Sequence, residues 1–157
     1  LDDGWLDSGD MGYLVGGQLV ITGRTKDLII VGGRNIWPQD VEWAVEQLPG
    51  VRAGDVAAFA VNTDDDREQV VVVVQCRAML QEAQEELRAA VAAVVRRVAG
   101  VECEVVLAPT RSLTFTTSGK LSRAAVKADY LSGAIRDVAA SPERRAREQL
   151  EQLAVAS

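Results

Sequence analysis

A chain of 157 residues, 48% of them hydrophobic, is long enough for one domain with a sizeable core and too apolar for disorder along most of its length. A net charge of −6, with the 17 basic residues scattered, argues against general binding to a nucleic-acid phosphate backbone. The absence of histidine removes Ser-His and Cys-His nucleophiles and most zinc sites, so any chemistry falls to lysine, arginine or carboxylates.

No run of about 18 apolar residues is present, so no membrane span is expected. The chain begins at Leu1 rather than methionine, and Leu1-Asp2-Asp3-Gly4-Trp5 lacks a signal-peptide pattern, so it reads as an excised segment of a cytoplasmic protein. Cys76 and Cys103 sit in apolar, strand-like runs without metal-ligand spacing and read as small buried hydrophobes.

Trp5 to Gly12 is turn-rich. Tyr13–Val15 and Gln18–Thr22 flank Gly16-Gly17, the pattern of a β-hairpin. Leu28–Val31 is a short apolar strand, after which Gly32-Gly33 allows a second tight reversal. Pro38 suits the first turn of a helix, with Asp40 and Glu42 near its positive end and Val41, Ala44, Val45 and Leu48 on one face. Leu48-Pro49-Gly50 stops that helix.

Val56–Val61 reads as a strand and Asn62–Glu68 as an acidic turn. Asp64, Asp65 and Asp66 in that turn lack EF-hand spacing and read as solvated. Val70–Cys76 is a continuous β-branched run, the mark of a central strand. Gln81–Val98 carries apolar residues at helical spacing and is closed by Gly100. A strand over Val101–Leu107, a polar loop over Arg111–Lys120 and a helix over Leu121–Leu131 follow. The charged stretch after Ser141-Pro142 is helix-prone and reads as a peripheral helix or linker. The expected fold is α+β: a small, largely antiparallel sheet flanked by helices, with an N-terminal β-hairpin.

Three segments carry possible chemistry. Gly119-Lys120 is not a nucleotide phosphate loop, because the glycine such a loop needs at position 114 is Thr114. As plain residues, Ser118-Gly119-Lys120 is a surface lysine in a loop, Gly23-Arg24-Thr25-Lys26-Asp27 a charged turn, and Asp10 an aspartate in a turn. A long cation at the tip of a loop rich in hydroxyls can also reach into another domain's pocket. A positioned ammonium suits any transition state that gathers negative charge.

Taken together, Ser8-Gly9-Asp10-Met11-Gly12, Gly23-Arg24-Thr25-Lys26-Asp27-Leu28-Ile29-Ile30-Val31-Gly32-Gly33-Arg34-Asn35-Ile36-Trp37-Pro38-Gln39-Asp40-Val41-Glu42 and Thr117-Ser118-Gly119-Lys120-Leu121-Ser122-Arg123 resemble the signatures of acyl-adenylate-forming enzymes. The likeness runs from about Gly4 to Leu131 and is closest to the fatty acyl-AMP ligases, where Leu28-Ile29-Ile30-Val31 replaces the polar run of amino-acid-activating domains.

The resemblance implies a mobile C-terminal lid. Residues 1–25 would be the tail of a large N-terminal domain, 26–133 the lid, and 134–157 the peripheral helix or linker. Lys120 would bridge acyl carboxylate, phosphate and ribose during adenylation. Asp10 and Arg24 would bind the nucleotide ribose; a carboxylate suits a diol as a bidentate acceptor. Lys26 would be the hinge between adenylation and transfer poses. Gly32, Gly33, Arg34 and Asn35 would form the loop past which a pantetheine arm reaches the site. The family usually has proline where Thr114 stands, a departure that would loosen the loop.

ATP with Mg2+, bound mainly by the large domain, would be the cofactor. The partners would be that domain, a fatty acid, and an acyl carrier protein or polyketide synthase carrier domain. The resemblance also admits an acyl-CoA synthetase or another adenylation domain. A carrier-protein docking module without chemistry is the reading from a different class. No metal site is expected in the chain itself, and the isolated chain is expected to fold without ligase activity.

Overall fold

The computed structural model describes residues 7–138 apart from Asp66 and Met79. The charged stretch after Ser141 therefore lies outside the described residues. An antiparallel hairpin of β1 (Asp10–Val15) and β2 (Gln18–Arg24) comes first. A 3-10 turn, Thr25–Asp27, leads into a second antiparallel pair, β3 (Ile29–Val31) and β4 (Arg34–Ile36). Helix α1 (Pro38–Glu46), strands β5 (Val56–Asn62) and β6 (Glu68–Gln75), helix α2 (Gln81–Ala99), strand β7 (Cys103–Ala108) and helix α3 (Arg123–Leu131) complete the order.

The main sheet has the order β5-β6-β7, with β5 antiparallel and β7 parallel to the central β6. The α+β architecture with mostly antiparallel pairing is as expected; the one parallel pair follows from α2, which carries the chain back across the sheet. Alternate residues of the sheet enter two separate cores. Val70, Val72 and Val74 join Val41 and Val45 of α1 and Val91, Val94 and Val95 of α2. Val71 and Val73 join Val126 of α3, Leu113 and Ile135 on the opposite face. Val70 through Val74 are all fully buried. That is why β6 is an unbroken β-branched run rather than an alternating one: it has no solvent face. At about 1.5–3 kcal/mol for burying each such side chain, these five valines are a large part of what holds the layers together.

Several boundaries differ from expectation. The hairpin strands extend to Asp10 and Arg24, into the expected turn-rich segment. Strand β4 was unforeseen, being only three residues, paired with β3 and with Ile36 alone reaching the core. Helix α3 starts at Arg123, because Ser122 caps it by accepting from Ala125 N (3.4 Å) while Leu121 pairs with Phe115. Packing also continues past residue 133: Ile135 is buried, Val138 N donates to Leu107 O (2.7 Å), and Asp137 pairs with Arg88 of α2 (2.7 Å). Cys76 is buried and Cys103 only half-buried. Burial pushes the Cys103 thiol up to about 11, aided by the Glu102 carboxylate.

Candidate functional site

Asp10 and Arg24 meet because of a bulge. The Gly16-Gly17 turn pairs Val15 with Gln18 and sets a register that, carried on unbroken, would place Asp10 opposite Gly23. The register shifts by one between Met11 and Gly12, so Asp10 faces Arg24 instead, with Arg24 Nε 3.5 Å from Asp10 Oδ1. Gly12 permits the shift: a Cβ there would lie 2.6 Å from Val20 O. Both side chains remain accessible at the open end of the hairpin, next to the turn that holds Lys26. Thr25 N donates to Gly9 O (2.9 Å) and closes that end.

Lys26 is exposed, and no ion pair engages it among the described residues. On either side of its turn the chain is fastened. Upstream, Gly23 packs so closely on α1 that a Cβ would lie 2.7 Å from Gln39 Nε2 and 2.8 Å from the Trp37 ring, and Gln39 Nε2 donates to Thr22 O. Downstream, Asp27 Oδ2 pairs with Arg123 Nη1 at 3.3 Å. An open groove of about 410 Å³ runs between the hairpin and α1, walled by Trp37, Gln39 and Trp43.

Lys120 does not sit in a loose loop. Thr116 N donates to Lys120 O (2.7 Å), Gly119 N to Thr116 O (2.9 Å), and Ser122 N to Thr114 O (2.9 Å). Lys120 N donates to Thr116 Oγ1 (3.2 Å). Gly119, at φ 77°, supplies the left-handed residue of the turn. Thr114 does not loosen this structure as expected: its hydroxyl donates to Asp129 Oδ2 of α3 (3.0 Å) and ties the loop down. The Lys120 ammonium thus projects from a small hydrogen-bonded hairpin, exposed and without an ion-pair partner among the described residues.

Gly32 and Gly33, at φ 57° and 74°, form the tight turn between β3 and β4. Arg34 and Asn35 are exposed beyond it and line a second groove of about 330 Å³. The Arg34 guanidinium lies against Gly100, where a Cβ would be 2.9 Å from Nη1; this is the carbonyl-rich C-terminal end of α2, which favours a cation. No hydrogen bond or ion pair joins Lys120 to the Asp10–Arg24 pair or to the Gly32–Asn35 turn among the described residues.

One further group was missed in the sequence. Glu42, expected to serve only as a charge near the positive end of α1, is buried. Its Oε1 accepts from Ala58 N (3.0 Å) and Arg123 Nε (2.7 Å), and its Oε2 accepts from Arg123 Nη2 (2.6 Å). The fork to Glu42, with Asp27 beside it, raises the Arg123 pKa further against burial. The signal available was position: Glu42 falls between Val41 and Val45 on a helix whose apolar face is buried.

With this geometry in view, the comparisons are direct. The profile of the family described as AMP-binding enzyme C-terminal domain matches residues 33–126. The chain belongs to that family. A putative acyl-CoA synthetase of Caulobacter vibrioides is 48% identical over 86% of this chain and 24% of its own length. The long-chain-fatty-acid–AMP ligase FadD26 of Mycobacterium marinum is 38% identical, over 82% of this chain and 22% of its own. Among solved structures, fatty acyl-adenylate ligases from E. coli and L. pneumophila superpose with a TM-score of 0.73 at 43% identity, covering 84% of this chain and 23% of the other. The chain thus spans about a quarter of the length of the relatives it matches. None of its described helices is long and apolar enough to cross a membrane.

Proposed function

We propose that this chain is the mobile C-terminal lid of an ATP-dependent fatty acid ligase, which makes acyl-AMP and passes the acyl group to the pantetheine of a carrier protein. The observation that carries the reading is Lys120: an exposed ammonium on a hydrogen-bonded turn, without an ion-pair partner among the described residues and ready to meet an anion outside its own domain. Family membership and the fatty-acid ligases among the relatives supply the chemistry such an ammonium would serve.

In this reading the Lys120 ammonium neutralises charge between the acyl carboxylate and the α-phosphate. The Asp10 carboxylate accepts from the ribose hydroxyls with Arg24 beside it, and Lys26 is the hinge. Gly32, Gly33, Arg34 and Asn35 border the path of the pantetheine arm. Residues 1–25 belong to the upstream large domain, 26–133 form the lid, and 134–157 form a peripheral helix or linker. Mg2+ with ATP and most of the substrate pocket belong to the large domain. The two grooves on this chain are open and shallow beside a site able to bury a nucleotide. ATP and carrier proteins meet in the cytoplasm, and we place the enzyme there.

A second reading, transfer to coenzyme A, is favoured by the 48% identical relative, which is a putative acyl-CoA synthetase. Acceptor competition separates the two: the full-length protein should load a phosphopantetheinylated carrier in preference to free coenzyme A. For the chemistry itself, Lys120→Ala in the full-length protein should slow acyl-AMP formation by about 10²–10³-fold, as loss of one preorganised donor does elsewhere, and leave transfer from supplied acyl-AMP nearly intact. Equal losses in both half-reactions would refute this role, and a full-length protein with no adenylation at all would leave only the docking module.

A further inference from the structure

Arg123 stands three residues after Lys120, at the first position of α3, and one guanidinium there joins two separate parts of the fold. Nε and Nη2 grip both oxygens of Glu42 in α1, at 2.7 and 2.6 Å. Nη1 reaches Asp27, the last residue of the 3-10 turn, at 3.3 Å. Glu42 is itself pinned by Ala58 N of β5. From Arg123 the backbone runs straight back into the Lys120 turn, whose base is closed by Ser122 N on Thr114 O.

We propose that Arg123 is a positioning residue that holds the Lys120 turn in fixed register with the exit of the hinge. The inference rests on the ligase reading above and adds a residue to it. If rotation is to occur at Lys26, Asp27 is the first side chain that must travel with the lid. Anchoring it to the same guanidinium that anchors the base of the Lys120 turn removes slack between the two. The turn's two ends are also held by Leu113 in the core, Leu121 packed against it and the Thr114–Asp129 hydrogen bond, but only Arg123 links it to the exit of the hinge among the described residues. A lysine at position 123 could keep one charge contact with Glu42 but cannot present a planar fork to it and a third donor to Asp27. Placement matters here: an error of about 1 Å in a catalytic group can cost on the order of 100-fold in rate.

The test uses the full-length protein carrying Arg123→Lys, alone and combined with Lys120→Ala, with single-turnover rates of acyl-AMP formation and of transfer from supplied acyl-AMP. Arg123→Lys should slow adenylation roughly 10-fold and change transfer by less than about 2-fold. In the Lys120→Ala background the same change should cost less than about 2-fold, because its effect passes through Lys120. Equal slowing of both half-reactions, or a loss that adds in full to that of Lys120→Ala, would overturn the positioning role and leave the ligase reading standing. Should Arg123→Lys not fold, Asp27→Asn, at a half-buried position, should show the same split at about 2- to 3-fold, and no split would overturn the role. If the wild type forms no acyl-AMP from any fatty acid, the ligase reading fails. Amide exchange then decides: Arg123→Lys should speed exchange at Thr116, Gly119 and Ser122, and unchanged exchange would overturn the positioning role too.

Discussion

The β1–β2 hairpin and the β5-β6-β7 sheet are built from similar residues and have opposite surroundings. Tyr13, Leu14, Val15, Leu19, Val20 and Ile21 are all exposed on the hairpin, Leu14 by 73%, whereas Val70 to Val74 of β6 have no exposed surface. The sheet is closed within this chain by α1 and α2 on one face and α3 on the other. Among the described residues the hairpin has no such cover, which fits the lid reading proposed above, where that apolar patch would pack on the large domain. Similar apolar composition is therefore core where the described chain supplies layers on both sides and exposed surface where it does not.

Substitutions sharpen this contrast. Val72→Asp should abolish cooperative unfolding, because it buries a carboxylate with no partner, while Leu14→Asp should leave the midpoint of the isolated chain within about 0.5 kcal/mol of wild type. Denaturant titration of the two variants checks it, and a large loss from Leu14→Asp would mean that the hairpin is covered after all.

Charge pairs should divide the same way. Glu42→Ala leaves the Ala58 amide without a partner and Arg123 with only Asp27, and should cost about 2–4 kcal/mol. Asp10→Ala breaks a largely solvated pair and should cost no more than about 1 kcal/mol.

Gly23→Ala lies at the seam between the two regions. Its Cβ would press on Trp37 and Gln39, and we expect a loss of about 1–3 kcal/mol, together with a change in Trp37 fluorescence as the hairpin lifts from α1.

The smallest effect concerns Cys103, on the outer strand of the buried sheet. Its folded thiol holds its proton up to about 11 against a reference of 9.0. A folded pKa raised in this way contributes stability that is complete below about pH 9 and lost as pH rises through about 11. Alkylation of Cys103 should therefore stay slow through pH 9 and accelerate toward pH 11. Rapid labelling at pH 8 would show that the strand is open.

Much of the fold was legible for a physical reason. A strand buried on both faces has no polar positions, so Val70–Cys76 announced itself; Gly16-Gly17 and Gly32-Gly33 marked reversals because few other residues accept positive φ. The parallel pairing of β6 with β7 was not legible, since periodicity reports which faces are buried and not which strand lies alongside. At the site, Lys120, Asp10 and Arg24 were visible as motifs. The bulge that brings Asp10 opposite Arg24 was not, because it depends on how closely Gly12 approaches Val20 O across the hairpin. Glu42 was misread because one residue in α1 cannot declare a partner 81 positions away in α3.

The three-residue turn Thr25–Asp27 is all the chain that separates the hairpin from the layered body. In the lid reading proposed above, a tether so short would keep the lid and the large domain at a mutual effective concentration on the order of millimolar or higher. Under that condition each docked arrangement needs only weak affinity to be populated, and neither has to be tight. Weak, closely matched contacts are what let a small ligand tip the balance from one arrangement to the other, since an equilibrium moves only by the difference in affinity a ligand brings.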